Sequence, residues 1–501
     1  MMRFVTDLLA RRAALAPDRA AFIDPVSGTT LSFAALDDRA SRAATLLAAH
    51  GIAYGDRVGI LCRNRVEFFE ILFACARIGA ILVPLNWRMP AAEIAPLIAD
   101  CEARLVLFGA EDADRACAAA AERAPVLIGL DDDYATQRDA CEPHAGRSEW
   151  PSDETWYLIY TSGTTGRPKG VIQTYAMALV NFINITQAIG LRGTDSTLNF
   201  LPLFHTAGIN LHTLPVLFAG GTNYILPGFD PGQLLALVNA GKMDVFIGVP
   251  AVYRELTLHP DFGTTDLTRV RHWACGGAPL PDILVQTFAD RGAVVCNGFG
   301  MTETGPTAFL SDPENALDKI GSVGRTWLLT EARIATPDGD PLPAGETGEI
   351  QFHGPGLTPG YWNRPEETAK LFTADGWLKS GDLGHQDPDG FVFVAGRIKE
   401  MYISGGENVY PAEVENVLAR HPAVLEAAIT GHPDDKWGEV GCAHVILRQG
   451  KSADGAGLAA WCRSHLAAYK VPRHWVFAVD FPRTAAGKVQ KHLLPGPGVA
   501  S

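Results

Sequence analysis

Apolar runs alternate with longer segments of helical periodicity through the first part of the chain. Residues 33–50 and 66–78 repeat apolar side chains at helical spacing, whereas residues 58–62 and 80–84 are short apolar runs typical of buried strands. Further strand-like runs lie at residues 21–23, 105–108, 126–128, 197–200, 222–225, 245–249 and 294–296. This alternation predicts βαβ units, and therefore an α/β fold with more than one parallel sheet covered by helices.

The pattern changes in the last part of the chain. From about residue 332, short runs separated by Pro and Gly predict a small β-rich lobe. Beyond it, apolar runs at 401–403, 424–430 and 442–447 predict strands, and helical spacing begins at Pro411 and again at 458–466. We therefore expect a large N-terminal domain, residues 1–396, of two βαβ-type sheet subdomains plus this lobe. A small α/β C-terminal domain, residues 397–501, should follow it.

Composition narrows the class of protein. A chain of 501 residues with 47% apolar and 20% charged residues can bury a large core, which excludes a disordered chain or a disulfide-stapled miniprotein. The formal net charge of −14 argues against nucleic-acid binding through a general basic field. No run is long and apolar enough for a membrane span, and no export signal is visible. The nine cysteines are scattered without a Cys-x-x-Cys pair, so we expect reduced thiols and a cytoplasmic location.

One loop concentrates groups that bind phosphate. The segment TSGTTGRPKG (161–170) follows a strand-like run and combines glycines, hydroxyl side chains and two cations. Glycines let the backbone approach an anion, while the hydroxyls and the lysine add donors and charge. The spacing matches neither the common NTPase loop nor the Gly-x-Ser-x-Gly frame of a hydrolase nucleophile. The loop therefore predicts a polyphosphate site, with an ordinary flexible hairpin as the alternative.

The segment YTSGTTGRPKG (160–170) resembles the phosphate loop of the adenylate-forming superfamily, which contains acyl-CoA synthetases, nonribosomal peptide adenylation domains and beetle luciferases. Other segments resemble that family's motifs in the same order along nearly the whole chain: LPLFHTAG (201–208), GGAPL (276–280), NGFGMTET (297–304), SGD (380–382), GRIKEMYISGGENVYPAEVE (396–415) and PRTAAGK (482–488). The resemblance implies an AMP-forming acyl-CoA synthetase, a fatty-acyl or aryl-CoA ligase. Its cofactors would be ATP and Mg²⁺, and CoA its co-substrate.

The same resemblance assigns the nucleotide contacts. The residues implied to touch the phosphates are Thr161, Ser162, Gly163, Thr164, Thr165, Gly166, Lys169 and Thr302. The residues implied to enclose adenine are Gly276, Gly277, Ala278, Asn297, Gly298 and Phe299, the last at a place where most members have Tyr. Glu303 is similar to the Mg²⁺ ligand, Asp382 to the carboxylate that accepts the ribose hydroxyls, and Arg397 to a second ribose or phosphate contact. Outside this context, Glu303 would be a helix-cap residue and Asp382 a turn residue.

Lys488 resembles the family's catalytic lysine, acting with Thr302, Glu303 and His205. A cation between the carboxylate and the α-phosphate lowers the barrier to their approach, with attraction of about 4 kcal/mol at roughly 4 Å and an effective dielectric of ~20. Without the resemblance it would be a solvated surface lysine. Lys399 occupies the family's hinge position, so the C-terminal domain is expected to be mobile and to rotate between adenylation and thioester formation.

Two further sets of residues follow from the resemblance. The residues implied to approach CoA are Gly405, Gly406, Trp437, Tyr469 and Arg88, with domain packing as the alternative role of Trp437. The residues implied to line the acyl pocket are His205, Ala207, Gly208, Gly277, Gly300 and Pro306. Amino-acid-activating relatives have Asp where this chain has His205, which favours an acid without an α-amino group. An aryl or phenylpropenoid acid or a medium-length fatty acid fits these small residues, although His205 could equally be a satisfied core residue.

Other functions remain open at this stage. The activated acyl group could pass to a separate acyl carrier protein instead of free CoA, and a luciferase-like oxidation of the adenylate is a more distant alternative. A nucleotide-binding regulator without turnover is a different class. It is disfavoured because a metal ligand, a hinge and a catalytic lysine are all implied together. The expected partners are therefore small molecules, and a homodimer would be ordinary for the family.

Overall fold

The architecture is that of a computed structural model, which describes residues 2–161, 168–483 and 489–497. Its strands, in chain order, are β1 (Phe4–Thr6), β2 (Ala20–Ile23), β3 (Thr30–Ser32), β4 (Arg57–Leu61), β5 (Ile81–Pro84), β6 (Ala103–Phe108), β7 (Val126–Gly129), β8 (Glu149–Pro151), β9 (Thr155–Thr161), β10 (Lys169–Thr174), β11 (Ser196–Asn199), β12 (Thr222–Ile225), β13 (Val245–Gly248), β14 (His272–Cys275), β15 (Val295–Phe299), β16 (Phe309–Leu310), β17 (Ser322–Thr326), β18 (Glu331–Ala335), β19 (Gly348–His353), β20 (Leu378–Gln386), β21 (Val392–Arg397), β22 (Tyr402–Ser404), β23 (Glu407–Val409), β24 (Val424–Asp434), β25 (Gly438–Leu447) and β26 (His474–Phe477).

The α-helices alternate with these strands as the sequence pattern predicts. They are α1 (Leu8–Leu15), α2 (Phe33–Ala49), α3 (Val66–Ile78), α4 (Ala91–Cys101), α5 (Ala113–Ala120), α6 (Tyr134–Asp139), α7 (Tyr175–Ile189), α8 (Thr213–Ala219), α9 (Pro231–Asn239), α10 (Pro250–Leu258), α11 (Asp282–Ala289), α12 (Pro365–Leu371), α13 (Pro411–Ala419) and α14 (Gly455–Arg463). No helix within the described ranges combines the length and the apolar character needed to cross a bilayer.

Two sheets in the first half of the chain contain the predicted βαβ units. The first has the order β10-β9-β5-β4-β6-β7, in which only the β9–β10 pair is antiparallel. The second has the order β11-β12-β2-β3. Helix α3 is buried along most of its length and ends at Gly79, whose φ of 73° allows the left-handed cap. The predicted α/β class is thus confirmed, and α3 has the predicted bounds.

The β-rich lobe is continuous with a parallel sheet and begins earlier than predicted. A nine-stranded sheet has the order β13-β14-β15-β16-β17-β21-β20-β19-β18, with parallel pairing only among β13, β14 and β15. Its antiparallel part starts at Phe309, not near residue 332. The earlier start was not predictable from the pattern because β16 has only two residues, too few to show the alternation of a half-buried strand.

The C-terminal part has its own sheet, in the order β23-β22-β25-β24 with β26 beside β25. Its core packs against α13 and α14 and is separate from the other core clusters. Two ion pairs join it to the large part: Arg420 to Asp282, with 2.7 Å between Nη2 and Oδ2, and Arg254 to Glu426, with 3.5 Å between Nη1 and Oε2. A small C-terminal domain is thus confirmed. The boundary at residue 397 and the hinge at Lys399, which lies exposed in a turn after β21, stay predictions.

Candidate active site

Two glycine-containing strips meet at the carboxyl ends of adjacent parallel strands. Residues 276–278 follow β14, and Asn297 on β15 pairs with the last residue of β14, Cys275. A Cβ atom on Gly276 would lie 3.1 Å from the carbonyl oxygen of Gly298, so the two strips are in direct contact. Ligand sites in α/β sheets commonly form at such carboxyl ends. The structure therefore brings together the residues predicted to enclose adenine.

Phe299, the third residue of the second strip, is half-buried. Its ring centroid lies 6.2 Å from that of Phe352 and 6.1 Å from that of Phe309. These contacts fix the position of one ring face against the core of the β-rich lobe. The ring therefore forms part of a rigid wall next to the glycine strips.

The predicted phosphate loop begins and ends on a paired hairpin. Thr161 at the end of β9 and Lys169 at the start of β10 are cross-strand partners. The Lys169 Nζ atom lies 5.1 Å from the centroid of the Tyr361 ring. The other predicted loop residues, Ser162, Gly163, Thr164, Thr165 and Gly166, lie outside the described residues. The hairpin nonetheless fixes the positions of the two residues that flank the loop, Thr161 and Lys169, and the Lys169 side chain is directed toward Tyr361.

Glu303 is a buried carboxylate with one strong donor. It lies in a single helical turn, Thr302–Thr304, and is 7% exposed. The Tyr361 hydroxyl donates a hydrogen bond to its Oε1 atom at 2.9 Å. The turn is held from both sides, because the backbone N–H of Thr358 donates to the Glu303 carbonyl at 2.8 Å and the Gln173 side chain donates to the Thr302 carbonyl at 3.0 Å.

Among the residues that the structure describes, cations lie near the Glu303 carboxylate but none forms an ion pair with it. Burial raises the pKa of its carboxyl group, and the Tyr361 hydrogen bond and the nearby cations Arg397 and Lys169 oppose that rise. Within the described ranges, no Lys or Arg side chain forms an ion pair with Glu303 within 4.0 Å. A buried carboxylate with cations near it but not on it suits a hard divalent cation that binds oxygen. The residues present therefore fit a Mg²⁺ ion at Glu303.

Asp382 and Arg397 face each other across β20 and β21. They are cross-strand partners, and the Arg397 Nε atom lies 3.5 Å from the Asp382 Oδ1 atom. Asp382 is 8% exposed, whereas the Arg397 side chain is more than half exposed. The Asp382 backbone N–H donates to the Ser380 hydroxyl at 3.0 Å, which fixes the turn before the carboxylate. Because Arg397 also affects the pKa of Glu303, the two carboxylates share one region of positive charge.

The predicted acyl-pocket residues around His205 adjoin a π-helical turn, Ala207–Leu211. The Gly208 carbonyl accepts hydrogen bonds from the Asn199 side chain and from the Thr213 hydroxyl, each at 2.9 Å. A Cβ atom on Gly208 would lie 2.4 Å from the Leu201 carbonyl oxygen, so the turn requires glycine. The half-buried His205 ring packs on Phe204, with 4.7 Å between centroids. π-Helical turns are rare and concentrate at functional sites, which supports the predicted pocket.

Gly300 and Pro306, also predicted for the pocket, are in immediate contact. A Cβ atom on Gly300 would lie 1.4 Å from the Pro306 carbonyl oxygen, which is backbone and cannot rotate away. We expect Gly300→Ala to lower the free energy of unfolding by about 3 kcal/mol and the thermal midpoint by several degrees. Thermal unfolding of Gly263→Ala is the control, because a Cβ atom there meets no atom within 4 Å. Equal thermal midpoints for the two variants would contradict the close packing of Gly300 against the Pro306 carbonyl group.

The predicted CoA residues lie in two places. Gly405 packs against Trp437, and its N–H donates to the Trp437 carbonyl at 2.8 Å. Two cations lie close to the Trp437 indole ring. The Arg473 guanidinium carbon is 4.9 Å and the Lys436 Nζ atom is 5.2 Å from the ring centroid. Lys436 directly precedes Trp437 in the sequence, whereas Arg473 was missed because only the fold brings it to the indole ring. These contacts leave the domain-packing alternative for Trp437 open.

The other predicted CoA residues have less specific surroundings. A Cβ atom on Gly406 would meet nothing within 4 Å, and Tyr469 packs against the C-terminal core. Arg88 belongs to the large part of the chain, where its guanidinium lies 4.8 Å from the centroid of the Trp87 ring. The structure therefore does not collect all five residues around one point.

Lys488 lies outside the described residues, but the segment on each side of it is anchored. Arg483 and Val489 form an antiparallel bridge. The Lys491 Nζ atom then forms ion pairs with Glu400 at 2.9 Å and with Glu415 at 2.8 Å. Burial opposes the charge of Lys491, but the two carboxylates raise its pKa overall. Lys491, which the sequence analysis missed, therefore ties the segment after Lys488 to the turn that contains Lys399.

Comparisons with known proteins agree with this geometry. The family described as AMP-binding enzyme matches residues 9–362, and its C-terminal domain family matches residues 413–488. The chain therefore belongs to the AMP-binding enzyme family. It is 40% identical over 481 residues to a feruloyl-CoA synthase of Amycolatopsis sp., covering 96% of each chain. It is 35% identical over 505 residues to a long-chain-fatty-acid–CoA ligase of Mycobacterium tuberculosis, covering 98% of each chain.

Solved structures give the same result. The structure of o-succinylbenzoate CoA synthetase from Bacillus subtilis in complex with its acyl-adenylate intermediate matches with a TM-score of 0.91 and 31% identity, covering 100% of both chains. ATP-bound MatB from Rhodopseudomonas palustris matches with a TM-score of 0.89 and 31% identity, covering 98% of both. The fold, the site and these relatives define an AMP-forming acid–CoA ligase, as the motifs predict.

Proposed function

We propose that this enzyme converts an aryl or phenylpropenoid carboxylic acid to its CoA thioester, using ATP and Mg²⁺ and passing through an acyl-adenylate. The observation that carries the proposal is the arrangement of two buried carboxylates, Glu303 and Asp382, around the exposed cation Arg397. One carboxylate suits a metal ion and the other suits two ribose hydroxyls. Glu303 lies four residues after Phe299 of the second glycine strip, and Arg397 is close to both carboxylates, which supports a nucleotide bound between them.

The proposed reaction requires negative charge to be stabilised at the reacting atoms. A carboxylate resists nucleophiles, whereas a mixed anhydride with AMP has a good leaving group that a thiol can displace. Bound at Glu303, Mg²⁺ would neutralise part of the charge on the ATP phosphates. In the proposal Lys169 contacts the outer phosphates, Asp382 and Arg397 orient the ribose, and Lys488 stabilises the charge that develops as pyrophosphate leaves.

A domain rearrangement links the two half-reactions in this proposal. Lys488 must be inside the site for adenylation, whereas the thiol needs an open path to the same carbon atom. We place the rotation at Lys399, and we place the turn around Gly405 and Trp437 beside the pantetheine arm in the second state. The contact between Gly405 and Trp437, and the two cations close to the indole ring, support a site for a phosphorylated ligand.

The choice of acid depends on the region around His205. No carboxylate stands at that position to pair with an α-ammonium group, and the small residues Ala207 and Gly208 leave room for a flat substrate. The 40% identity to a feruloyl-CoA synthase favours a phenylpropenoid acid over a medium-length fatty acid.

All nine cysteines are free thiols, which supports a reducing, cytoplasmic location.

The direct test is CoA thioester formation across a panel of cinnamic, benzoic, indoleacetic and C8–C12 fatty acids, compared by kcat/KM. We expect a hydroxycinnamic acid to be preferred over the fatty acids at least about tenfold, equivalent to about 1.4 kcal/mol of differential transition-state binding. A preference for a fatty acid would overturn the substrate class. Pyrophosphate release with CoA yielding no thioester would overturn CoA as acceptor, and would favour a separate carrier protein.

Tyr361 should position the metal ligand. Replacing Tyr361 by Phe removes the hydroxyl that donates to Glu303, a hydrogen bond to a charged group worth about 1.5–3 kcal/mol. We expect the Mg²⁺ concentration for half-maximal adenylation to rise about tenfold or more. Tyr134→Phe is a matched control, because its buried hydroxyl donates to the Glu70 carboxylate at 3.0 Å, and neither residue belongs to the proposed site. A Mg²⁺ dependence unchanged in Tyr361→Phe would contradict this role.

A further inference from the structure

One face of the C-terminal sheet carries three imidazoles and a thiol. Cys442 on β25 pairs with Thr430 on β24 and with His474 on β26, so these three side chains share a face. His444 lies two residues beyond Cys442, and His432 lies two residues beyond Thr430. The same face therefore presents all four potential metal ligands.

Two of the imidazoles contact Thr430, which is the cross-strand partner of Cys442. Its Oγ1 atom lies 2.9 Å from the His432 Nε2 atom and 3.2 Å from the His444 Nε2 atom. One ligand atom from each of His432, Cys442 and His444 lies within 4.8 Å of the other two. Across residues 2–161, 168–483 and 489–497, this is the one group of three or more His, Cys, Asp or Glu ligands that meets this spacing. The nucleotide-binding chemistry described above makes no use of it.

The cluster lies under the last segment of the chain. The opposite face of the sheet packs against α13 and α14, whereas this face carries a small apolar cluster of Ala428, Ile446 and Phe481. Val489 and Leu494 pack on that cluster, and a Cβ atom on Gly496 would lie 3.9 Å from the His432 Cε1 atom. Cys442 and His444 are buried while His432 is half-buried, so a metal ion would enter from the His432 side.

We propose that His432, Cys442 and His444 bind one Zn²⁺ ion in the C-terminal domain. Imidazole and thiolate are the ligands that Zn²⁺ prefers, and Zn–N and Zn–S lengths of about 2.0–2.1 and 2.3 Å put tetrahedral ligand atoms roughly 3.3–3.6 Å apart. Ligand atoms as far as 4.8 Å apart must therefore close by roughly 1.2–1.5 Å, which side-chain rotation provides. His474, beside Cys442 on β26, is the neighbouring imidazole from which a fourth ligand would come.

The protonation states of the side chains are compatible with this site. Burial lowers the pKa of His444 to about 4 and also lowers that of His432, so both imidazoles are neutral and have a lone pair for a metal ion. Burial raises the pKa of the Cys442 thiol to about 11. When the zinc–sulfur bond forms, the thiol loses its proton to solvent, and the resulting thiolate balances part of the charge of the ion.

The test uses the full-length chain without an affinity tag, freed of metal by a chelator and titrated with Zn²⁺ or Co²⁺ alone. We expect one equivalent of Co²⁺ to give the intense visible bands of a tetrahedral site and a thiolate-to-cobalt charge-transfer band. We also expect Zn²⁺ to raise the thermal midpoint, since binding to the folded state stabilises it. His432→Gln should weaken binding about 100-fold, and Cys442→Ser should abolish the charge-transfer band.

The controls separate this site from adventitious surface binding. His421→Gln and Cys117→Ser change the same residue types elsewhere and should bind like the wild type. His432→Gln alters a half-buried side chain, and its circular dichroism and metal-free thermal midpoint should match those of the wild type. Absence of a bound equivalent in the wild type would overturn the proposal. Equal binding by the wild type and the His432→Gln, Cys442→Ser double variant would also overturn it.

Discussion

We expect the replacement of Lys488 by alanine to lower the rate of acyl-adenylate formation about 10³-fold. The estimate comes from the loss of about 4 kcal/mol of attraction between a cation and the developing negative charge at roughly 4 Å with an effective dielectric of ~20, where each 1.36 kcal/mol is a factor of ten in rate. In the proposed mechanism the side chain acts only while pyrophosphate leaves. The same variant should therefore convert supplied acyl-adenylate and CoA to thioester at nearly the wild-type rate.

The two half-reactions are measured separately in this experiment. Adenylation is followed by pyrophosphate release in a single turnover, and thioester formation by mixing the variant with synthetic adenylate and CoA. Lys451→Ala, an exposed lysine in the same domain, is the control and should leave both rates unchanged. Equal losses in the two half-reactions of Lys488→Ala would show that Lys488 maintains the structure of the C-terminal domain and does not act in one step only.

We expect the replacement of Asp382 by alanine to reduce kcat/KM for ATP by about 10²- to 10³-fold. The carboxylate is proposed to accept both ribose hydroxyls, and hydrogen bonds to a charged group are worth about 1.5–3 kcal/mol each. The loss of transition-state stabilisation should exceed the value of a single hydrogen bond, because the variant also leaves Arg397 without its cross-strand partner. Most of the effect should fall on KM, since the ribose contacts are made before and during the reaction.

A nucleotide analogue distinguishes this role from a structural one. Against an ATP analogue without ribose hydroxyls, the wild type and Asp382→Ala should have similar kcat/KM values, because the contact is already absent. Asp338→Ala, an exposed carboxylate on the same lobe, is the matched control. If Asp382→Ala lowered activity equally with ATP and with the analogue, Asp382 would not be the ribose ligand.

The sequence predicts those parts of the fold that depend on local patterns. Helix α3 has the predicted bounds because its apolar run is long and is ended by Gly79. The start of the β-rich lobe was predicted too late because strand β16, Phe309–Leu310, is too short to show a period of two. Local periodicity carries no information on which strands pair, so the continuity of the nine-stranded sheet required the three-dimensional structure.

The residues of the candidate site likewise fall into those with a local sequence signal and those that only folding brings together. Glu303, Asp382 and Arg397 lie in recognisable segments, and the structure places them together. Tyr361 lies 58 residues beyond Glu303 in sequence, and only folding brings its hydroxyl to the carboxylate. Lys491 likewise has no local signal, because its two partners are contributed by the turn before β22 and by α13. Residues that position others therefore leave no local signal in the sequence, whereas the predicted site residues lie in segments with a local pattern and stay predictions.

We propose that this site joins a carboxylic acid to AMP, and pyrophosphate exchange tests that reaction without the later steps. The most direct measurement is the exchange of labelled pyrophosphate into ATP by the wild-type enzyme, with and without each acid of the panel and without CoA. We expect exchange that requires both Mg²⁺ and an acid, is fastest with a hydroxycinnamic acid, and is lost in Lys488→Ala. Absence of acid-dependent exchange with every acid tested, by an enzyme that is folded and binds ATP, would contradict it.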